Sequence, residues 1–387
     1  MWYFVSPQVV FGEGALDALD ELEGQRALIV TDPVIIQLGL VERVQVHLER
    51  AGFDVRVFSQ VEPDPSVQTA QRGAEVAAAC TPDWIVGLGG GSVLDAAKAI
   101  WVLYERTDLE PGEINPFVRL NLRQKARLVT IPTTSGTGAD VTWAIVLTDT
   151  DEQRKMGLGN RENVADMAIV DPSLAVGMPP QLTSDTGLDA LVHAIEGYTC
   201  TWHNDFTDGL CLNAARLVMT YLPRAVADGS DVEARERLHN AATCAGLGFG
   251  NAMASMAHAM GHALGAIFHL PHGRAVGICL PYTVEFAARE APKRFADLAR
   301  FLQCATSAGE EGARSLVAAL RDLYRQIGVP TSLAEAGIER SAFDAQLDKL
   351  VDDAFNDTQM ITAVRSPSYE ELRRLFEDVY AGRVVAY

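Results

Sequence analysis

Apolar, β-rich runs in the first half of the chain each end at a proline or in glycines. RALIVTD (26–32) stops at Pro33 and DVRVFSQV (54–61) just ahead of Pro63. DWIVGLGGGS (83–92) and RLVTIPTTSGTG (127–138) run into glycines, and ADMAIVD (165–171) stops at Pro172. Amphipathic stretches over 34–51, 66–80 and 92–105 lie between them. Strands alternating with helices predict parallel βαβ units and a doubly wound, mainly parallel sheet. VTWAIVLTDTDEQRKMGLG (141–159) reads as a β-hairpin with a charged turn. MWYFVSPQVVFGEG reads as an opening strand and turn, without the basic stretch of a secretion signal. The pattern changes at MPPQLTSD (178–185). Helical periodicity then dominates over 185–200, 206–221, 231–248, 252–267, 274–289, 291–307, 311–327, 341–354 and 368–381. The expected organisation is an α/β domain over 1–180 and an all-α domain over 181–387. A length of 387 residues fits two domains at roughly 150 residues each.

One segment departs from the rest in charge. Residues 238–273 contain no Asp, Glu, Lys or Arg in a chain that is 21% charged. Of the eight histidines, His239, His258, His262, His269 and His272 fall inside that window. It is long enough to span a membrane at about 20 residues. Yet it carries repeated glycine, Asn251, Ser255 and the histidines, and polar groups inside a membrane are costly. A buried helix bearing a site in a soluble protein is the better reading. A net charge of −19 argues against a nucleic-acid surface, which needs clustered Lys and Arg. The cysteines (80, 200, 211, 244, 279 and 304) form no C-x-x-C pair and are too sparse for a disulfide framework. A reducing cytoplasm is therefore expected.

Two loops follow strands. GLGGGSVLDAAK (87–98) leaves an apolar strand and opens a helix. Glycines allow close backbone approach, and free N–H groups at a helix start bind phosphate. Ser92 is a candidate to cap that helix or to donate to the phosphate. PTTSGTG (132–138), dense in hydroxyls and glycines, suits a pyrophosphate or a nicotinamide amide. Either loop alone would pass for an ordinary turn. Both at carboxyl ends of parallel strands fit the place where α/β sheets bind ligands. Asp32 ends the strand before Pro33. It would accept from a ribose 2′-OH and repel a 2′-phosphate, which favours NAD over NADP, or it would cap the following helix.

The helical half holds a metal-ligand pattern. Asp189 and His193 are four apart in SDTGLDALVHAIEGY and share a helix face. His258 and His262 are four apart in MAHAMGHALGAIFHLPHG, and His272 follows in a Pro-His-Gly turn. One Asp and several His supply O and N ligands to a borderline divalent cation. Spacing alone does not separate His258 from His262. Ala259 stands where H-E-x-x-H would need its Glu, which excludes that motif. His47 and His203 are expected to be solvated, His239 to be structural, and His269 is undecided.

The chain resembles the iron-containing (group III) alcohol dehydrogenases over essentially its whole length. GGGSVLDAAK, PTTSGTGADVT, LDALVHAIEGY with Asn204 and Asp208 downstream, AGLGFGNAMASMAHAMGHALG and PHG stand in the family's order and spacing. The resemblance implies that family's architecture, shared with dehydroquinate synthase. It implies metal ligation by Asp189, His193, His258 and His272, with His262 as an additional catalytic histidine beside the metal. Dinucleotide binding is implied for Asp32, Gly89, Gly90, Gly91, Ser92, Asp95, Thr133 and Thr134, in a cleft between the two domains. The implied activity is hydride transfer between nicotinamide and a primary alcohol or aldehyde held at the metal. Fe²⁺ is the family expectation, with Zn²⁺ or another divalent cation able to use the same ligands. NAD is expected ahead of NADP, and a cytoplasmic homodimer is the family-based expectation. Departures occur at Ser135, Ala139-Asp140, Arg274 and Gly277, and they bear on substrate preference. Trp143, Ala144 and Phe249 are expected to line an apolar substrate pocket suited to simple alcohols and aldehydes.

Two other functions compete. Glycerol-1-phosphate dehydrogenase and dehydroquinate synthase share the architecture, but their phosphorylated substrates need Lys or Arg near the metal. The window offers only Arg274 at its edge. A non-catalytic metal- or nucleotide-binding protein would have no use for both loops together with all four ligand candidates.

Overall fold

The computed structural model describes residues 3–150 and 154–387. The chain forms two compact units, Met1–Val176 and Gly177–Tyr387. The opening residues 1–2 and the hairpin tip 151–153 lie outside the described residues.

The first unit is built on strands β1 (Gln8–Phe11), β2 (Arg26–Val30), β3 (Asp54–Phe58), β4 (Trp84–Gly89), β5 (Arg127–Pro132) and β8 (Met167–Val170). They form one parallel sheet in the order β1-β8-β5-β4-β2-β3. β4 lies between β5 and β2 and is buried along its whole length, as a central parallel strand must be. The edge strands β1 and β3 are mostly exposed or half-buried, so their residues do not form continuous apolar runs. β6 (Ala144–Asp149) and β7 (Arg154–Gly159) form a separate antiparallel pair.

Helices α1 (Pro33–Gln37), α2 (Leu40–Arg50), α3 (Val67–Cys80) and α4 (Gly91–Glu105) connect the first strands. Both sheet faces are covered. Leu28, Val30, Ile85 and Leu128 point to a core shared with α3 and α4. Ile29, Val86, Val129 and Ile131 point to the opposite core, shared with α2. That alternation along each strand is the period-two geometry of a sheet buried on both sides.

The amphipathic stretch 34–51 is two helices rather than one. Gly39 sits between them at φ 70, the left-handed region that ends a helix. Asp32 is the N-cap of α1. Its Oδ1 accepts from the backbone N–H of Val34 and Ile35 at 2.7 and 2.9 Å. Ser92 is not the cap of α4: Gly90 holds that position, and Ser92 Oγ instead accepts from the Asp64 N–H at 3.3 Å. His47 is not solvated either. Its side chain is only 16% exposed, and Nδ1 lies 3.1 Å from Asp20 Oδ1. His203 is 39% exposed, and its Nδ1 accepts from Arg294 at 2.9 Å.

The second unit contains α5 (Pro180–Thr199), α6 (Asp205–Ala227), α7 (Val232–Gly250), α8 (Met256–Phe268), α9 (His272–Ala287), α10 (Pro292–Phe301), α11 (Gly309–Ile327), α12 (Arg340–Phe355) and α13 (Tyr369–Ala381). α10 ends six residues before the expected position 307, and Gln303 beyond it has φ 59. One continuous apolar core joins these helices. Among the described residues no helix is long and apolar enough to cross a membrane.

Leu28 is fully buried on the α3/α4 side of the sheet. Leu28→Ala is expected to cost about 2–5 kcal/mol through lost burial and the cavity left behind. A denaturant titration checks this, and a change within about 0.5 kcal/mol would contradict a filled core there.

Candidate active site

Helix α5 carries the first two ligand candidates. Asp189 and His193 are one helical turn apart on a helix buried over most of its length. Asp189 is 2% exposed. Helix α8 supplies His258, and His272 is the first residue of α9. Glycines let these helices meet. A Cβ on Gly273 would collide with the backbone carbonyl of Asp185, so α9 begins in direct backbone contact with α5. A Cβ on Gly261 would stand 2.9 Å from Val276 Cα, so α8 and α9 meet almost as closely.

Three imidazole nitrogens surround one carboxylate oxygen. His272 Nε2 lies 3.4 Å from Asp189 Oδ1, His193 Nδ1 3.6 Å and His258 Nε2 3.7 Å. The donor atoms of Asp189, His258 and His272 all fall within 4.8 Å of one another. Asp189 Oδ1, His193 Nδ1 and His258 Nε2 are buried with no hydrogen-bond partner. Buried polar atoms without partners cost free energy, so a convergent set of them marks a place where a further group is bound. One carboxylate and three imidazoles are the donor types that suit a borderline divalent cation, and the residues fit such an ion.

The electrostatics agree. Burial pushes His193 down to about 3 and keeps it neutral. Burial opposes charge on His258 too, but the Asp189 and Glu196 carboxylates outweigh it and push His258 up to about 9. Burial would raise Asp189, yet the imidazoles crowded around it hold it well below the usual carboxylate range. The cluster draws positive charge inward, first onto His258.

Around this cluster stand residues of two kinds. Phe249, at the end of α7, stacks on the His193 ring at 3.8 Å between centroids and 13° between planes. His262 is 5.5 Å from His272 and 5.9 Å from His258, ring to ring, and its side chain is 36% exposed. His262 Nδ1 lies 2.8 Å from Asp357 Oδ2. Glu196 Oε2 lies 2.6 Å from His258 Nδ1. The sequence reading missed both Glu196 and Asp357. Glu196 carried a signal, because it lies seven positions after Asp189 on the same helix face. Asp357 carried none, being far along the chain from its partner. Arg274 is taken up by a bidentate pair with Asp185 at 3.0 and 2.9 Å. His269 is exposed at φ 54, where it closes α8, and His239 is buried within α7.

In the first unit the two loops meet each other. Thr133 N–H donates to the Gly89 carbonyl at 3.0 Å. A Cβ on Gly90 would lie 3.4 Å from Thr134 Cγ2, and one on Gly91 would lie 2.9 Å from Thr137 Oγ1. Gly90 caps α4 without any side-chain bond to the helix start. The first backbone N–H groups of α4 are therefore left without a side-chain cap. Asp95 turns inward: its carboxylate accepts from Val146 N–H at 3.0 Å and faces the buried Lys98 ammonium at 3.4 Å. Lys98 also donates to the Ala144 carbonyl at 2.9 Å. Trp143 is half-buried and lies against Gly159, where a Cβ would stand 2.6 Å from its ring. Trp143 and Ala144 belong to the first unit and Phe249 to the second.

Comparison with known proteins bears on both units. Residues 6–172 match the family model described as iron-containing alcohol dehydrogenase. Residues 183–380 match that of the Fe-containing alcohol dehydrogenase family, C-terminal. The chain is 38% identical to the NADPH-dependent butanol dehydrogenase of Clostridium saccharobutylicum, covering 100% of both. It is 36% identical to the bifunctional aldehyde-alcohol dehydrogenase AdhE of Escherichia coli K12, over 99% of this chain and 46% of that protein. Among solved structures it is similar to 1,3-propanediol oxidoreductase, with a TM-score of 0.93, 31% identity, and 98% and 100% of the two chains covered. It is also similar to sulfoacetaldehyde reductase from Bifidobacterium kashiwanohense in complex with NAD⁺, with a TM-score of 0.86, 27% identity and 98% of each chain covered.

An ion that binds only the folded state stabilises it by mass action, about 4 kcal/mol at a thousandfold excess over Kd. Exhaustive chelation is expected to lower the thermal midpoint, and added Fe²⁺ or Zn²⁺ to restore it. In Asp189→Asn neither treatment should move the midpoint; an equal shift in that variant would place the ion elsewhere.

Proposed function

The chain belongs to the iron-containing alcohol dehydrogenase family and is an alcohol/aldehyde oxidoreductase, and from that premise we propose how its residues divide the work. Metal and NAD(P) are the cofactors of such an enzyme, and we propose Fe²⁺ and NAD as the particular pair here. Residues 1–180 form the dinucleotide-binding domain and residues 181–387 the metal-binding and catalytic domain. The observation that carries the reading is the cluster of buried, partnerless donor atoms on Asp189, His193 and His258.

Asp189, His193, His258 and His272 would hold the cation. A divalent ion in such a site supplies Lewis acidity toward an alcohol or carbonyl oxygen, while nicotinamide supplies the hydride acceptor or donor. Phe249 covers the His193 ring and keeps water from it. Asp357 occupies the Nδ1 side of His262, which leaves His262 Nε2 to take or give the proton of the alcohol. The backbone N–H groups of Gly91 and Ser92 and the hydroxyls of Thr133 and Thr134 suit the pyrophosphate. β2 and β4 are neighbours, and the chain extends the sheet in opposite directions from them. Their carboxyl ends, Asp32 beside Gly89–Gly91, are thus the switch point where α/β sheets take nucleotides. Asp95 supports that loop from within, through Val146 and Lys98. Phe249, stacked on the His193 ring, is proposed to contact the substrate's apolar part. All six cysteines are free thiols, which supports a reducing, cytoplasmic setting.

Phosphorylated substrates are disfavoured by one specific contact. Arg274, the cation at the edge of the charge-free window, is already neutralised by Asp185.

A panel of primary alcohols and aldehydes with added Fe²⁺ tests the activity. Metal-dependent turnover on short unbranched members is expected; undiminished turnover after complete metal removal would sink the assignment. Comparing kcat/KM for NADH and NADPH tests Asp32. NADH is expected to be preferred by at least roughly tenfold, since one unfavourable charge contact near 1.4 kcal/mol gives that factor. Asp32→Ser should narrow the gap, and equal use of the two by the parent chain would overturn the NAD assignment.

A further inference from the structure

We propose that Glu196 is a positioning residue that fixes the tautomer and rotation of His258, and so decides which of its nitrogens is presented to the metal. The inference rests on the ligand set proposed above. Glu196 is 4% exposed, and three groups converge on its carboxylate. Ser255 N–H donates to Oε2 at 2.8 Å and Ala257 N–H donates to Oε1 at 2.5 Å. His258 Nδ1 lies 2.6 Å from Oε2.

A peptide N–H only donates, so Glu196 is the acceptor in two of these contacts. A carboxylate that already accepts from two peptide N–H groups presents a further lone pair to its third neighbour. His258 Nδ1 must then carry a proton and donate it. That leaves Nε2 as the nitrogen at which a cation would take the place of a proton, and Nε2 is the atom without a protein partner that faces Asp189 Oδ1. The same carboxylate ties down the peptide N–H groups immediately before His258, so the ring and the backbone that carries it share one anchor. Because Glu196 lies on α5 with Asp189 and His193, that anchor also sets α8 against the helix that bears the other ligands. Carboxylates behind ligating histidines commonly act in this way, raising ligand basicity and fixing ring orientation.

The test uses the full chain, stripped of metal and titrated with Co²⁺, whose visible d–d absorption reports ligand geometry. The parent chain should bind one equivalent and Asp189→Asn none; a parent chain that binds none would overturn the ligand set itself. Glu196→Gln keeps a carbonyl oxygen for the peptide donors but replaces the charge. It is expected to bind Co²⁺ roughly 10- to 100-fold more weakly, with a shifted d–d band. A purely structural role predicts a lower melting temperature of the metal-free variant with the band unmoved and affinity within twofold, and that result would overturn the proposal. Should Glu196→Gln fail to fold, the ¹⁵N-histidine-labelled parent chain loaded with Zn²⁺ decides the matter. A downfield, slowly exchanging His258 Nδ1–H is expected, and protonation at Nε2 instead refutes the inference.

Discussion

Asp189 is a carboxylate in an apolar interior, and that environment tolerates an ionised group only where opposite charge is supplied at short range. No Lys or Arg lies in the window that includes α8 and the start of α9, so the compensation cannot come from a fixed side-chain cation there. It comes from imidazoles, three of which turn a nitrogen toward a single oxygen. Imidazoles are weak sources of charge when buried, as the depressed pKa of His193 shows. A cation bound among them satisfies the carboxylate and the lone pairs together, which a proton on His258 does only in part. Much of the second unit follows from that requirement. Helices α5, α8 and α9 must approach until their carboxylate and imidazoles converge, and glycine at 261 and 273 removes the side chains that would hold them apart.

The same requirement accounts for the missing charges over residues 238–273. A Lys or Arg there would pair with Asp189 and occupy the cation's place. An additional Asp or Glu would compete for the ion or leave excess negative charge uncompensated. Arg274, just beyond the window, shows how a cation is tolerated so near: Asp185 engages it bidentately from α5 and turns it into a strap between α5 and α9. A neutralised guanidinium is a structural part, whereas a free one would have redirected the site toward anionic substrates.

How much of this was legible from the sequence varied with the length scale of the physics. Strand β4 was plain because a central parallel strand is apolar throughout, and helices such as α3 and α13 were plain because their periodicity is local. The break at Gly39 and the early end of α10 depend on single residues at positive φ, a choice that periodicity does not record. Among the site residues, Asp189 and His193 share a face through the helix repeat and need no tertiary information. The division between His258 and His262, identical in spacing and helix face, came from family resemblance. Glu196 and Asp357 went unnoticed because acidic residues are common, and only the fold brings these two against imidazoles 62 and 95 positions away.

Those two histidines differ in what they face rather than in how they are held. Each has Nδ1 against a carboxylate, Glu196 for His258 and Asp357 for His262. His258 is buried, with its Nε2 turned toward Asp189. His262 is about a third exposed and stands edge-on to His258 and nearly parallel to His272. A nitrogen facing a buried carboxylate is suited to a cation, and one on a partly open ring is suited to exchanging protons with what enters from solvent. One turn of α8 thus separates a buried ring turned toward Asp189 from a partly open one, each with a carboxylate behind its Nδ1.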